Sequence, residues 1–120
     1  MTISAVSKKY NISADTLRYY EKIGLLRNVA RNSGGLRDYS EENCRSVEFI
    51  RCMRSAGASI ETLTKYIELL SRGESTMEER KQLLIEQRNA LNEKLKNLQD
   101  TIARLDFKIE HYEEIMTKKN

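Results

Sequence analysis

Residues 13–26, SADTLRYYEKIGLL, predict one short helix with clear start and stop signals, and the neighbouring segments are interpreted from this helix. Ser13 is a good N-cap, since its hydroxyl can accept a hydrogen bond from a free N–H group of the first turn. Gly24 is a good stop, since it can adopt the left-handed conformation that ends a helix. Leu17 is expected to pack into the core and hold this helix in place, together with Ile23.

The outer face of this predicted helix is polar and basic. Its side chains with no evident apolar role are Thr16, Arg18, Tyr19, Tyr20 and Lys22. Hydroxyls, a guanidinium group and phenols on a helix of about three turns suit the base edges and phosphates of a DNA major groove. A surface helix with two half-buried tyrosines explains the same residues, so the helix alone leaves both interpretations open.

The segment before this helix predicts another short helix. Apolar residues recur at helical spacing at Ile3, Val6 and Tyr10. They indicate a helix over residues 2–10, followed by a turn at residues 11–12. Two short helices joined by so tight a turn, the second basic on its outer face, predict a helix-turn-helix over residues 2–24.

Residues 25–39, LLRNVARNSGGLRDY, show no helical period and contain turn residues at 32–35. Residues 25–31 and 36–39 could therefore pair as a small hairpin. Its arginines are Arg27, Arg31 and Arg37. A basic hairpin beside a helix-turn-helix is a wing that can reach DNA phosphates beyond the groove. An ordinary loop with incidental arginines is the alternative.

Two further helices are predicted over residues 40–56 and 59–71, with Ser40 and Ser59 as their N-caps. Their apolar stripes are Val47, Ile50 and Met53 in the first, and Ile60, Leu63, Ile67 and Leu70 in the second. These helices are expected to close the core behind the helix-turn-helix.

Residues 76–116 predict one uninterrupted long helix, which starts at a capping box in residues 76–79 and leaves a tail at 117–120. Its dimerisation positions are Leu84, Leu91, Leu95, Leu98, Ile102, Leu105, Ile109 and Tyr112. From Leu91 the steps alternate four and three, as in a coiled coil. A helix of about 40 residues is about 60 Å long and has nothing of its own chain to cover this seam. A second copy is therefore expected, rather than a helix folded back on its own domain.

The 120 residues allow one domain, or one small domain with an extension. A net charge of +3 is too small to indicate nucleic-acid binding, but its distribution is uneven. Residues 1–37 carry seven Lys or Arg against two acidic residues, whereas residues 76–120 carry nine of each. The basic N-terminal part is the expected contact with a polyanion.

Catalysis and metal binding are not expected. The one histidine, His111, lies in the predicted coiled coil, where no catalytic triad can be assembled around the core. Cys44 and Cys52 lie about 12 Å apart along a predicted helix, too far for a disulfide and without a CxxC motif. No cofactor is expected. With no apolar run long enough for a membrane and no visible signal peptide, a cytoplasmic chain with reduced thiols is expected.

Three segments, TLRYYEKIGLL, LRDYS and FIRCMRSAGASIETL, together resemble the MerR family of bacterial transcription regulators. The resemblance implies a mainly all-α fold, with a winged helix-turn-helix DNA-binding domain at residues 1–73 and a long dimerising coiled-coil helix at 76–116. Many members carry prolines just after the GLL, whereas this chain has none, so its first wing strand departs from the family pattern.

The resemblance also implies partners and contacts: a homodimer on double-stranded promoter DNA, with RNA polymerase engaged indirectly on the same promoter. The expected DNA-binding residues are Ser13, Thr16, Arg18, Tyr19, Tyr20, Lys22, Arg31, Arg37, Tyr39 and Arg54. Arg54 occupies the place of a family arginine that contacts phosphate.

Ile at heptad position a and Leu at d suit a parallel pair, as do charges at e and g such as Lys94. The family implies antiparallel helices, which we adopt because a pseudo-palindromic operator needs separated DNA-binding units.

Cys52 is the candidate sensor. The residues around it resemble the branch of the family that responds to aldehydes and other thiol-reactive stress, and arginines on the same helix favour the thiolate. The alternative interpretation of Cys52 is a small buried hydrophobic residue, and Cys44 is interpreted as incidental.

The implied mechanism is activation by distortion of promoter DNA. The competing hypothesis is a coiled-coil interaction module that binds nucleic acid or protein and senses no small molecule.

Overall fold

The computed structural model describes residues 1–118. Its elements, in chain order, are α1 (Ile3–Tyr10), α2 (Ala14–Lys22), β1 (Ala30–Arg31), β2 (Arg37–Asp38), α3 (Glu41–Ser55), α4 (Ile60–Ser71), a 3-10 helix (Glu74–Thr76), α5 (Met77–Glu110) and α6 (Tyr112–Lys118). The fold is mainly helical, with a two-stranded antiparallel wing and one long helix, as the sequence predicts.

The helix-turn-helix forms as its caps predict. The Ser13 hydroxyl accepts a hydrogen bond from the backbone N–H of Thr16 at 3.1 Å, and Gly24 lies just beyond α2 with φ +82°. Asn11, in the left-handed conformation, ends α1 and allows the tight turn. Leu17 is fully buried, which confirms it as the anchor of α2.

The wing is shorter than predicted. Ala30 pairs with Asp38 and Arg31 with Arg37, so each strand has only two residues. The backbone N–H groups of Leu25 and Leu26 both donate to the carbonyl of Tyr20, and both leucine side chains are buried. This part of the predicted first strand therefore packs against α2 and is not available for strand pairing.

The core lies between α1, α2, α3 and α4. Its fully buried large side chains are Val6, Leu17, Leu25, Leu26, Val47, Ile50 and Leu63. The predicted apolar stripe of α4 ends at the wrong residue. Leu70, its predicted last member, is 47% exposed, whereas the neighbouring Leu69 is buried. Leu69 turns toward α5, where it and Leu83 line one small cavity, so α4 packs on two sides rather than one.

The start of α5 differs from the predicted capping box. The Thr76 hydroxyl makes no N-cap hydrogen bond and donates instead to the carbonyls of Leu69 at 2.7 Å and Gly73 at 2.9 Å. The cause is the 3-10 helix, which runs directly into α5 and turns the hydroxyl back toward the end of α4.

The predicted uninterrupted helix is wrong at His111. Here φ is −107° and ψ is +17°, and a separate helix, α6, begins at Tyr112. The imidazole stacks on Phe107 with ring centroids 4.5 Å apart, and Nδ1 lies 3.4 Å from Oε2 of Glu114. The predicted tail at 117–120 is helical through Lys118, and its last two residues lie outside the described part of the chain.

Two contacts join α5 to the turn between α3 and α4. Nε2 of Gln87 donates to the carbonyl of Ala56 at 3.1 Å. The Lys94 ammonium lies against Gly57, so close that a Cβ at this glycine would collide with it. Gly57 also has φ +89°, so the turn itself favours a residue without a side chain, whereas the exposed Lys94 could move aside.

Candidate nucleic-acid interface

The outer face of α2 is open to solvent over most of its predicted contact residues. Ser13, Arg18, Tyr19 and Lys22 are exposed, and Thr16 is half-buried. Nη1 of Arg18 lies 2.8 Å from Oδ1 of Asp15. Both members of this ion pair are well exposed, so it is weak and leaves the guanidinium group available to a stronger partner.

Tyr20 does not belong to this face, which corrects its predicted outward placement. It is buried in the core, whereas Tyr19 is 51% exposed. The reason is helical geometry: Tyr20 lies three residues after Leu17 and so shares the inward face of α2. One tyrosine of the pair is therefore a core residue and the other a candidate contact.

The wing carries two arginines with different surroundings. Arg31 is exposed, and its guanidinium group donates to the carbonyl of Gly35 at 3.0 Å near the hairpin tip. Arg37 is half-buried, and its Nε donates to Oε2 of Glu21 on α2 at 2.6 Å. Sequence reasoning missed this role of Glu21. The signal available in the sequence was that Glu21 is one of only two acidic residues in the basic segment 1–37.

Tyr39 is also buried, which corrects the prediction that its side chain is open to DNA. Only 2% of it is exposed, and its hydroxyl oxygen has no hydrogen-bond partner in residues 1–118. Burial raises the pKa of Tyr39, and the charge of Glu21 raises it further, while Arg37 and Arg18 act in the opposite direction. The ring packs with the core because the wing folds back onto α2 and α3.

The turn between α3 and α4 lies beside the face of α2. Tyr19 and Ile23 from α2 share one groove, of about 520 Å³, with Ile60 and Lys65 from the first half of α4. Nη1 of Arg54 donates to the carbonyl of Ala58 at 2.8 Å, just before α4 begins. Arg54 is exposed in the last turn of α3, and the groove itself carries Lys65 together with the acidic Glu61 and Glu68, none of which sequence reasoning singled out.

The base of the wing is held by Asn43, a buried residue that sequence reasoning also missed. Its side-chain oxygen accepts from the backbone N–H of Ser40, and its Nδ2 donates to the carbonyl of Arg27 at 3.1 Å. The Ser40 hydroxyl in turn accepts from the backbone N–H of Asn43, which completes a capping box. The start of α3 and the segment leading into β1 are thereby fixed together.

The two cysteines have opposite surroundings. Cys52 is exposed near the end of α3, and its carbonyl accepts from the N–H of Ala56 at 3.1 Å. Cys44 is buried, with Sγ 3.7 Å from Sδ of Met1. The buried-hydrophobe interpretation therefore fits Cys44 and not Cys52.

An apolar seam runs along the outer part of α5. Its residues are 43–71% exposed: Leu91, Leu95, Leu98, Ile102, Leu105, Ile109 and, after the break, Tyr112. Leu84 is half-buried in its own protomer, so it is less open to a second copy than predicted. Phe107 is exposed as well, but it lies off the heptad seam.

The helix-turn-helix, its wing and the basic face of α2 define a winged-helix DNA-binding protein. Two family models match the chain. One, described as "MerR HTH family regulatory protein", covers residues 1–70, and the other, "MerR, DNA binding", covers residues 44–107. The chain belongs to the MerR family of helix-turn-helix transcriptional regulators.

Known relatives extend this likeness. The HTH-type transcriptional regulator AdhR of Bacillus subtilis is 48% identical over 93 residues, which are 78% of this chain and 66% of AdhR. The chain thus spans slightly less than two thirds of that relative. An uncharacterized HTH-type transcriptional regulator of Haemophilus influenzae is 30% identical, over 93% of this chain and 83% of its own length.

Two solved structures share the fold over nearly the whole chain. A MerR family transcriptional regulator from Listeria monocytogenes is 42% identical, with a TM-score of 0.87, and the match covers 99% of this chain and 92% of that one. HiNmlR, a MerR family regulator lacking the sensor domain and bound to promoter DNA, is 28% identical with a TM-score of 0.87. That match covers 100% of this chain and 91% of HiNmlR.

Other kinds of site are not seen in the described chain. Within residues 1–118, no three or more His, Cys, Asp or Glu side chains are grouped so that they could hold a metal ion. Over the same residues, no helix combines the length and the hydropathy that a bilayer crossing requires.

Proposed function

We propose that the chain binds a pseudo-palindromic promoter operator as a homodimer and activates transcription by distorting the DNA. The observation that carries the proposal is the exposed face of α2 with Arg18, Tyr19 and Lys22, together with the exposed Arg31 of the wing. Such a face matches a major groove and its flanking phosphates. HiNmlR, with the same fold, is bound to promoter DNA.

The dimer forms through the exposed seam of α5. A run of half-exposed leucines and isoleucines at heptad spacing is unfavourable in water and is covered when a second α5 packs against it. Lys94, at a g position of the heptad, lies near Gly57 of its own domain, but its side chain is exposed and flexible and is compatible with either helix direction. We propose antiparallel helices, because they place the two DNA-binding units at opposite ends, as a pseudo-palindromic operator requires.

Cys52 is the proposed sensor, of an aldehyde or another thiol-reactive compound. Its exposure gives an electrophile access. With an aldehyde, the thiolate sulfur bonds to the carbonyl carbon and the carbonyl oxygen takes up a proton, giving a hemithioacetal. Cys52 lies just before the α3–α4 turn that Gln87 and Lys94 contact, so a change there can reach α5. The two DNA-binding units then turn, and RNA polymerase can engage the reshaped promoter.

The test is a band shift of the full chain on the region upstream of its own gene, followed by footprinting of that region. We expect a protected, two-fold related site, and transcription from it with purified RNA polymerase should rise when an aldehyde is added. Equal binding to operator and unrelated DNA would contradict the proposal and favour a general interaction module.

Arg18 and Arg54 should differ in what they contribute to DNA binding. Arg18→Ala should cost about 1–3 kcal/mol on operator and less on random DNA, if the guanidinium group reaches a base edge. Arg54→Ala should weaken both equally and reduce the salt dependence by about one unit of slope. Titrations of both DNAs at several salt concentrations give these values.

Arg18→Lys is the matched control, since it keeps the positive charge and removes the bidentate hydrogen-bond donor. It should retain binding to random DNA and lose preference for the operator. Arg54 also caps the Ala58 carbonyl, so thermal unfolding of Arg54→Ala must accompany its titration. An equal loss of affinity for operator and random DNA in Arg18→Ala would indicate that Arg18 contacts a phosphate rather than a base edge.

A further inference from the structure

Arg88 lies on the apolar seam of α5, at a position that usually holds an apolar residue. It precedes Leu95 by seven residues, so the heptad that places Leu95 and Ile102 at position a places Arg88 at position a as well. The side chain is exposed, and its Nη2 donates to the side-chain oxygen of Asn89 at 3.3 Å. Covering a guanidinium group in a helix pair is costly unless it has a partner. The residue that faces Arg88 in the dimer therefore decides how the seam closes at this end.

Arg88 distinguishes between the two directions of the helix pair. In a parallel pair in register, each seam residue faces its own copy, so the two Arg88 guanidinium groups would lie together and repel each other. In an antiparallel pair, position a of one helix faces position d of the other, so Arg88 meets a different side chain. The charge at this position thus favours the antiparallel pair.

The register of the antiparallel pair follows from the ends of the seam. Before the break at His111 the exposed seam runs from Leu91 to Ile109, so it is centred on position 100. With the two-fold axis at this position, the seam residues face one another as Leu91 with Ile109, Leu95 with Leu105, and Leu98 with Ile102. A shift by one heptad in one direction would place Arg88 against Leu105. A shift in the other direction would pair two leucines with residues beyond the break.

This register places Arg88 opposite the partner's Tyr112. Tyr112 occupies the last position d of the seam and is 53% exposed. The N–H of Ile115 donates to the carbonyl of His111 at 2.9 Å, and the N–H of His111 donates to that of Phe107 at 3.1 Å. These are helical hydrogen bonds, so Tyr112 continues the seam despite the break. A tyrosine ring attracts a guanidinium group to its face, while its hydroxyl stays in water.

We propose that Tyr112 of each protomer packs its ring on Arg88 of the partner, in an antiparallel pair whose two-fold axis lies at position 100. The contact occurs twice in the dimer, once at each end of the seam. Each Arg88 is then covered by an aromatic ring instead of meeting a like charge. This inference rests on the proposed function for the antiparallel direction of the dimer, and it adds the register and the contact.

The contact also brings the partner close to the candidate sensor. Arg88 directly follows Gln87, whose Nε2 donates to the carbonyl of Ala56 in the α3–α4 turn. The N–H of Ala56 donates to the carbonyl of Cys52 at 3.1 Å in the same turn. The partner's Tyr112 therefore lies one residue along α5 from the hydrogen bond that joins α5 to the end of α3. Each sensor region is completed by the other copy of the chain.

Engineered cysteines test the register. The full chain would carry Cys44→Ala and Cys52→Ser, which remove both native thiols, together with Arg88→Cys and Tyr112→Cys. We expect mild oxidation, or a short bismaleimide cross-linker, to give a covalent dimer on a non-reducing gel. The two single-cysteine variants should stay monomeric on that gel, because each cysteine lies far from its own copy in the antiparallel pair.

Two results of the cross-linking would overturn the contact. A covalent dimer in the Arg88→Cys single variant would show a parallel pair. Leu98→Cys with Ile102→Cys, in the same background without native thiols, is the matched control for the centre of the seam. If this control formed a covalent dimer and the Arg88→Cys/Tyr112→Cys variant did not, the register would stand and the contact would be wrong.

Dimer affinity tests the ring itself. Tyr112→Ala should raise the dissociation constant of the dimer about tenfold, because both copies of the contact are lost. Tyr112→Phe keeps the ring and should stay within about twofold of the wild type. In an Arg88→Ala background, Tyr112→Ala should have a much smaller effect. Sedimentation equilibrium measures these constants, and an equal effect in both backgrounds would contradict the contact.

Failure of this inference and failure of the proposed function can be told apart. Cross-linking and sedimentation need neither DNA nor an electrophile. A chain that forms the expected covalent dimer and does not bind its upstream region would confirm the contact and overturn the proposed function.

Discussion

Replacing Leu98 and Ile102 by Asp should convert the protein to a monomer and abolish operator binding. Both side chains lie on the exposed seam of α5, more than half open to solvent in one protomer. In a dimer, the two substitutions would bury charges opposite an apolar partner, at a cost of several kcal/mol. Sedimentation velocity measures the first outcome and a band shift on the upstream region the second.

Asn97→Asp with Ala103→Asp is the matched control for this prediction. Both positions are exposed, and by heptad count they lie on the outer side of the same helix. This variant adds the same charge and should remain a dimer. If Leu98→Asp/Ile102→Asp remained a dimer too, the interface would have to lie elsewhere on the chain.

Cys52→Ser should bind operator as tightly as the wild type and fail to activate transcription in response to an aldehyde or a thiol oxidant. Serine keeps the size of the side chain and removes the nucleophilic sulfur. Because Cys52 is exposed, the change should leave the free energy of unfolding nearly unaltered. Transcription of the native promoter in vitro, with and without the electrophile, measures the response.

Cys44→Ala is the control for the second thiol. Its side chain is buried against the core, so the variant should keep full induction even if it loses some stability. Full activation by the Cys52→Ser protein would refute the sensor hypothesis and leave a regulator whose signal enters at another site.

The sequence predicts the helical part of the fold well, because local residues determine it. Ser13, Ser40 and Ser59 each cap the helix that was assigned to them. The predicted capping box at Thr76 was wrong. No local signal indicated the 3-10 helix that leads into α5, and this helix turns the Thr76 hydroxyl toward the carbonyl of Leu69 on α4. The break at His111 was missed for a similar reason, since no glycine or proline marks it.

The candidate site was predicted less completely, because burial of a polar side chain depends on elements distant in sequence. Tyr20 and Tyr39 were grouped with exposed residues by their chemistry, yet both face the core. The pair of Arg37 with Glu21 spans 16 residues and is formed only when the wing folds back. Periodicity within either segment carries no information about such a contact.

The long α5 can act as a mechanical lever. Gln87 anchors it to the α3–α4 turn by a hydrogen bond, Lys94 lies beside the same turn, and from Lys94 to its end at Glu110 the helix extends about 24 Å. A tilt of about 10° at this fulcrum would move the far end by about 4 Å. In an antiparallel pair, that far end lies toward the partner's domain. The same tilt moves Gln87, about 10 Å from Lys94 on the other side, by about 2 Å. A movement at the turn is therefore about doubled at the far end, where it changes the spacing between the two half-sites of a bound dimer.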